Sequence, residues 1–156
     1  MMKQGKWWIG ISLLLGLGAC ADPTFYDVYQ TIPNRSWNRH EKARFELHVE
    51  DTTKHYELWL YVRHTGEYNY RNLLVSTQEI GPKLTDSSQN YEIQLATTDG
   101  RWTGTRAGNL YVNKQLLKAD YLFPDTGMYS FEVQHNMLDN PLLDITDVGL
   151  KIQEKE

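Results

Sequence analysis

Residues 45–62 read F-E-L-H-V-E-D-T-T-K-H-Y-E-L-W-L-Y-V, and the fold class follows from that run. Phe45, Leu47 and Val49 alternate with Glu46, His48 and Glu50, the period of two that marks a half-buried strand. After Asp51-Thr52-Thr53-Lys54 the alternation resumes with Tyr56, Leu58, Leu60 and Val62. A turn at Thr52-Thr53 predicts a hairpin in which Val49 faces Tyr56, Leu47 faces Leu58 and Phe45 faces Leu60. All three pairs are apolar, so pattern and turn agree on one register. Thr-Thr lacks the left-handed residue that two-residue hairpin turns favour, which leaves room for a longer loop.

Working outward, more strands of the same kind are expected. Tyr68 to Gln78 contains Leu73 and Val75, and Tyr91, Ile93 and Leu95 alternate. Leu110 to Val112 forms a short run. Tyr129, Phe131 and Val133 follow the turn signal Pro124-Asp125-Thr126-Gly127, and Val148, Leu150 and Ile152 close the chain. Short strands at this spacing, parted by Gly, Pro, Asn and Asp, suggest a two-sheet sandwich or a barrel. The expectation is an all-β, jelly-roll-like two-sheet β-sandwich of about eight strands. One helical turn fits near Asn136 to Leu143, limited by Pro141.

The start of the chain is of another character. Lys3 and Lys6 precede the apolar stretch Trp7 to Leu17, and Gly18 and Ala19 lead to Cys20, the one cysteine in the sequence. A basic region, a short apolar core and a small-residue cleavage site make a secretory signal. The apolar run is about a dozen residues, short of the roughly 20 that span a bilayer. Leu17-Gly18-Ala19-Cys20 resembles a bacterial lipobox, which implies cleavage before Cys20 and lipidation of its thiol and new amine. Residues 1–19 are then a signal peptide, 20–24 a lipidated cysteine with a short tether, and 25–156 one domain. Sixteen Lys and Arg stand against twenty Asp and Glu. Loss of Lys3 and Lys6 leaves the mature chain at −6, with no basic footprint for nucleic acid.

The chemistry-bearing residues are sparse. In the predicted hairpin His48 faces Glu57 and Glu50 faces His55, a set that reads either as cross-strand polar pairs or as a Zn²⁺ site. No short His motif supports a metal, and none is expected. Asp120, Asp125, Asp139 and Asp144 read as turn formers or as Ca²⁺ ligands. There is no Gly-x-Ser-x-Gly elbow, and no catalytic residue or cofactor is expected. The aromatics offer a better lead. Trp59 and Tyr61 fall on the face opposite Leu58 and Leu60, and Trp102 lies in the glycine-flanked loop 99–104. Tyr68, Tyr70 and Arg71 are similar. Such residues serve as protein-interface anchors or as stacking platforms for sugars, unless both strand faces are buried and Trp102 plugs one end.

Three stretches carry a resemblance: Y-V-R-H-T-G-E-Y-N-Y-R-N-L at 61–73, L-A-T-T-D-G-R-W-T-G-T-R-A-G-N-L-Y at 95–111, and 127–152, which opens G-M-Y-S-F-E-V-Q-H-N-M and ends D-V-G-L-K-I. In this order, and with the lipobox, the chain resembles the gliding motility lipoprotein family GldH from about Phe25 to Ile152. It departs at Leu138, where the family commonly has Arg after the Met, and at Asp144, where Gly commonly precedes the Ile. The resemblance implies an envelope lipoprotein needed for gliding, with no established catalytic activity. Its implied partners are envelope proteins of a gliding apparatus linked to type IX secretion. Ala21-Asp22-Pro23 lacks the acidic cluster associated with surface-exported lipoproteins, which favours the periplasmic face of the outer membrane. The alternative is a carbohydrate-binding envelope lipoprotein.

Overall fold

The computed structural model describes residues 24–155. The signal peptide, Cys20 and the tether as far as Pro23 lie outside the described residues. Within them the chain forms eleven strands and a single turn of 3-10 helix at Pro33–Arg35. The strands are β1 (Thr24–Thr31), β2 (Ser36–Trp37), β3 (Ala43–Val49), β4 (Tyr56–Thr65), β5 (Asn72–Gly81), β6 (Leu84–Gln94), β7 (Thr105–Ala107), β8 (Leu110–Tyr121), β9 (Gly127–His135), β10 (Leu142–Leu143) and β11 (Ile145–Glu154).

One sheet has the order β1-β11-β4-β8-β7 and the other β3-β9-β5-β6, all pairs antiparallel. Leaving aside the short β2, β7 and β10, eight strands make two four-stranded sheets. Among these eight, only β5 and β6 are consecutive strands paired with each other. Every other connection passes to the opposite sheet, which is the jelly-roll arrangement. The core fills the space between, with Phe45, Leu58, Leu60, Leu73, Ile93, Ile145 and Leu150 essentially without exposure. Each such side chain contributes roughly 1.5–3 kcal/mol by leaving water.

The run at 45–62 behaves differently from the hairpin expected of it. β3 pairs with β9, and β4 pairs with β11 and β8, so the two strands lie in different sheets. Their apolar faces meet across the core instead of lying side by side. Asp51 Oδ1 accepts from the Thr53 backbone N–H at 2.8 Å and from the Thr53 hydroxyl at 2.6 Å, shaping the crossing loop. His48 therefore does not face Glu57, nor does Glu50 face His55. The outer partner of His48 is Met128, while His55 Nδ1 pairs with Asp120 at 2.5 Å. The helical turn expected near Asn136 is absent: Leu142–Leu143 instead pair with Ser36–Trp37 and close one end of the sandwich. Tyr68 to Arg71 precede the strand predicted to contain them, because the chain must first turn between the sheets.

Two ends of the sandwich can now be distinguished. At one, β1, β4, β6 and β9 begin while β3, β5, β8 and β11 finish; Thr24 emerges here. At the other lie the loops 66–71, 95–104 and 136–144 and the β2–β10 ribbon.

Candidate functional site

The candidate interface residues fall in two places. Trp59 and Tyr61 lie on the outer face of the five-stranded sheet, while Tyr68, Tyr70, Arg71 and Trp102 lie at the end remote from Thr24.

On the outer face, the register sets Tyr29, Gly149, Tyr61 and Lys114 in one row across β1, β11, β4 and β8. Gly149 decides this geometry. A Cβ there would meet the Tyr29 ring at 2.6 Å, so only glycine lets the ring lie down over β11. Tyr29 and Tyr61 then touch edge to face with centroids 5.9 Å apart. The Arg63 guanidinium covers Tyr29 at 4.0 Å, and Lys114 Nζ sits 4.8 Å from the Trp59 ring. Trp59 Nε1 donates to Glu57 at 3.1 Å. Alternation on β4 places Glu57, Trp59, Tyr61 and Arg63 outward, all partly exposed. The result is an aromatic and cationic outer face. A shallow hollow beside Tyr61 is lined by Gln94, Thr103, Gly104, Asn113 and Lys114.

At the remote end, His64 is the centre of an aromatic cluster. Its ring lies 4.6 Å from Trp102, 5.5 Å from Tyr111 in a stacked arrangement, and 5.7 Å from Tyr68. His64 Nδ1 is 2.8 Å from the Thr65 carbonyl and Nε2 is 3.2 Å from Asn113 Oδ1. Asn113 Nδ2 donates to Thr103 Oγ1 at 3.0 Å and to the Gln94 carbonyl at 3.3 Å, which orients its amide. Both ring nitrogens thus face acceptors, an arrangement that only an imidazolium satisfies fully. Burial opposes that charge and pushes the His64 pKa below its ordinary value.

Tyr68 is no surface residue. It is 4% exposed, because the crossing from β4 to β5 folds its ring under the end of the sandwich. Burial pushes its phenol far up, out of reach of ordinary titration. Its hydroxyl donates to the Asn72 carbonyl at 3.1 Å. Trp102 is half-buried against His64 and Tyr111. Tyr70 stays accessible and donates to Asp139 at 2.5 Å. Arg71 is exposed, while its carbonyl accepts from the backbone of Leu95 and Ala96 at 2.8 and 2.9 Å.

The four aspartates weighed as calcium ligands do not converge. Asp120 and Asp125 lie at the Thr24 end, paired with His55 and Lys83; Asp139 and Asp144 lie at the other, bonded to Tyr70 and Thr65. Among the described residues no three His, Cys, Asp or Glu groups approach closely enough to hold a metal ion.

Comparison with known proteins decides the family. The GldH lipoprotein profile matches residues 24–152, nearly the whole of the described domain. The chain belongs to the GldH lipoprotein family. Two GldH relatives are similar over almost their full length. The gliding motility lipoprotein GldH homolog of Christiangramia forsetii is 28% identical over 155 residues, covering 95% of this chain and 94% of the relative. The gliding motility lipoprotein GldH of Flavobacterium johnsoniae is 27% identical over 156 residues, covering 94% and 96%. Among solved structures, a chain of Desmodium yellow mottle tymovirus aligns with 94% of this chain and 95% of its own length, at 12% identity and a TM-score of 0.32. As in the GldH relatives, the lipoprotein character places the domain at an envelope membrane.

Residues that the sequence did not single out complete the picture. Tyr29, Lys114 and Gly149 join Arg63 in the outer face, and Tyr111 and Asn113 join His64 in the buried cluster. The signal for Arg63 and His64 was available, since the β4 alternation carries one outward and the other inward.

Proposed function

We propose that this chain is a non-catalytic docking component of a gliding apparatus associated with type IX secretion. It is lipid-anchored through Cys20 to the outer membrane, with its domain in the periplasm. Support for gliding comes from relatives named gliding motility lipoproteins. Support for docking comes from one observation: Tyr29, Trp59, Tyr61, Arg63 and Lys114 share one outward face. Tyr, Trp and Arg are the residues that carry most binding energy at protein interfaces.

The test is a crosslinked pull-down of the lipidated protein from native envelopes, wild type beside Trp59→Ala/Tyr61→Ala. Recovery of gliding or secretion components at fixed stoichiometry is expected, falling by about 30-fold in the variant if the pair contributes at least about 2 kcal/mol. Recovery of cell-wall polymer alone would transfer the aromatic face to the carbohydrate-binding reading.

A further inference from the structure

Eight large apolar side chains are exposed among the described residues: Val28 lies in mid-strand, Leu74, Leu138 and Leu143 lie toward the remote end, and the other four gather at the Thr24 end. Phe25 is 41% exposed, Leu122 44%, Ile80 42% and Met128 57%. Each lies within two residues of a strand terminus, and all four termini belong to the end where Thr24 emerges.

They are also structurally continuous. The β5–β6 turn packs on the β8–β9 turn: Lys83 pairs with Asp125 at 2.8 Å, and Pro82 packs so tightly on Gly127 that a Cβ there would meet it at 2.9 Å. Ile80, Pro82 and Met128 line one shallow apolar depression. Leu122 stands in the neighbouring turn, which Tyr129 braces by donating to the Asp125 carbonyl at 2.9 Å. Phe25 joins from the other sheet through Tyr56, with ring centroids 5.2 Å apart, and Tyr56 packs on Phe123 at 5.4 Å.

The tether identifies what covers this surface. From Cys20 to Thr24 are four residues, which span at most about 14 Å when fully extended. A cysteine lipidated in a bilayer therefore holds this end, and no other, against the membrane. We infer that the Thr24 end of the sandwich is a membrane-contact surface, in which Phe25, Ile80, Leu122 and Met128 rest in the lipid interface beside the anchor. This rests on lipidation at Cys20. The contact is apolar in origin: the loops and strand ends around it carry Glu50, Asp51, Asp120, Asp125 and Glu154 against Lys54, Lys83 and Lys155. An acidic rim gains nothing from anionic lipid. With that end seated, the Tyr70 and Trp102 loops point away from the bilayer and the aromatic outer face stands upright beside it.

The lipidated full chain carries no free thiol once Cys20 is acylated, so Leu122→Cys, Met128→Cys and Leu138→Cys each accept one environment-sensitive fluorophore. Leu138 is 96% exposed at the remote end and serves as the reference. The labelled proteins are reconstituted into phosphatidylcholine vesicles containing a doxyl-labelled lipid quencher. Blue-shifted, quenched emission is expected at positions 122 and 128 and neither effect at 138, unchanged when phosphatidylglycerol is added. Vesicle-bound protein with solvent-like emission at all three positions would overturn the inference and leave the patch to a protein partner. Protein that fails to float with vesicles would overturn the anchor itself, and the inference with it. Phe25→Asp/Leu122→Asp, both at exposed sites, should keep the fold and vesicle flotation but abolish quenching at position 128.

Discussion

Asp144 holds φ at +68°, a left-handed conformation that costs an ordinary L-residue about 1–2 kcal/mol and glycine almost nothing. This is the position at which the family resemblance leads one to expect glycine, and the backbone gives the reason. Asp144 offsets the strain locally. Its carboxylate accepts from the Thr65 hydroxyl at 3.0 Å, its carbonyl from Thr65 N–H at 3.0 Å, and its own N–H donates to Arg35 at 2.8 Å. Asp144→Gly exchanges the side-chain hydrogen bond for relief of strain and should change stability by less than about 1 kcal/mol. Asp144→Ala loses the bond and keeps the strain, so it should cost about 1–2 kcal/mol. Urea denaturation followed by tryptophan fluorescence checks the order; an alanine variant as stable as the glycine one would refute it.

Between the sheets, β5 turns Glu79 inward, where it is only 4% exposed. Lys118 from β8 and the Tyr121 hydroxyl both reach its carboxylate, and Lys118 also lies 3.8 Å from the Tyr121 ring. This ion pair joins the two sheets across the interior. Lys118→Met would leave the carboxylate buried with Tyr121 alone, at a cost of about 3–5 kcal/mol. Adding Glu79→Leu should recover most of that loss, since an apolar pair of similar volume needs no desolvation. Additive losses in thermal melts would contradict this coupling. Such a pair cannot be read from the sequence, because Glu79 and Lys118 lie in strands paired to different neighbours. The 45–62 run teaches the same lesson. Alternation states which side chains face the core and was legible at Phe45, Leu47, Leu58 and Leu60. It does not state which strand lies alongside. β1 gave no signal, since an edge strand exposed on both sides has no clean alternation; its burial follows no period of two. The aromatic outer face was half legible: Trp59 and Tyr61 stand out within one strand, whereas Tyr29 joins them only through the β1–β11 register.

At the scale of the whole molecule, two histidines are fully buried. His64 lies among Tyr68, Trp102 and Tyr111, with Asp144 beyond Thr65. His135 packs on Trp37 at 5.3 Å, bonds the Trp37 carbonyl at 3.1 Å and has Arg39 nearby. Burial lowers both pKa values from the ordinary 6.5. Below about 6.5 the unfolded chain therefore takes up protons that the folded chain refuses, and stability falls as pH drops from about 7 toward 5. Glu132, held low by Lys42 at 2.7 Å and Arg44 at 2.5 Å, adds its own loss only further down, once the carboxylate range is reached. His135→Phe should be less stable at pH 7 and yet show a shallower dependence of the urea midpoint between pH 7 and 5. An unchanged slope would exclude His135 as a source.

The pairing of β1 with β11 also has a mechanical meaning. Thr24 leaves the sandwich along the strand axis, and β1 is bonded to β11 from Thr24↔Gln153 to Thr31↔Asp147. Tension between Cys20 and a partner held on the domain would pull β1 parallel to its own length. The hydrogen bonds of that ladder then share the load in shear, instead of opening one after another as in a zipper. Gln30 ties the same strand to the other sheet by accepting from Arg44 N–H at 3.2 Å. A lipid anchor attached in this way suits a domain that must stay folded while force passes through it.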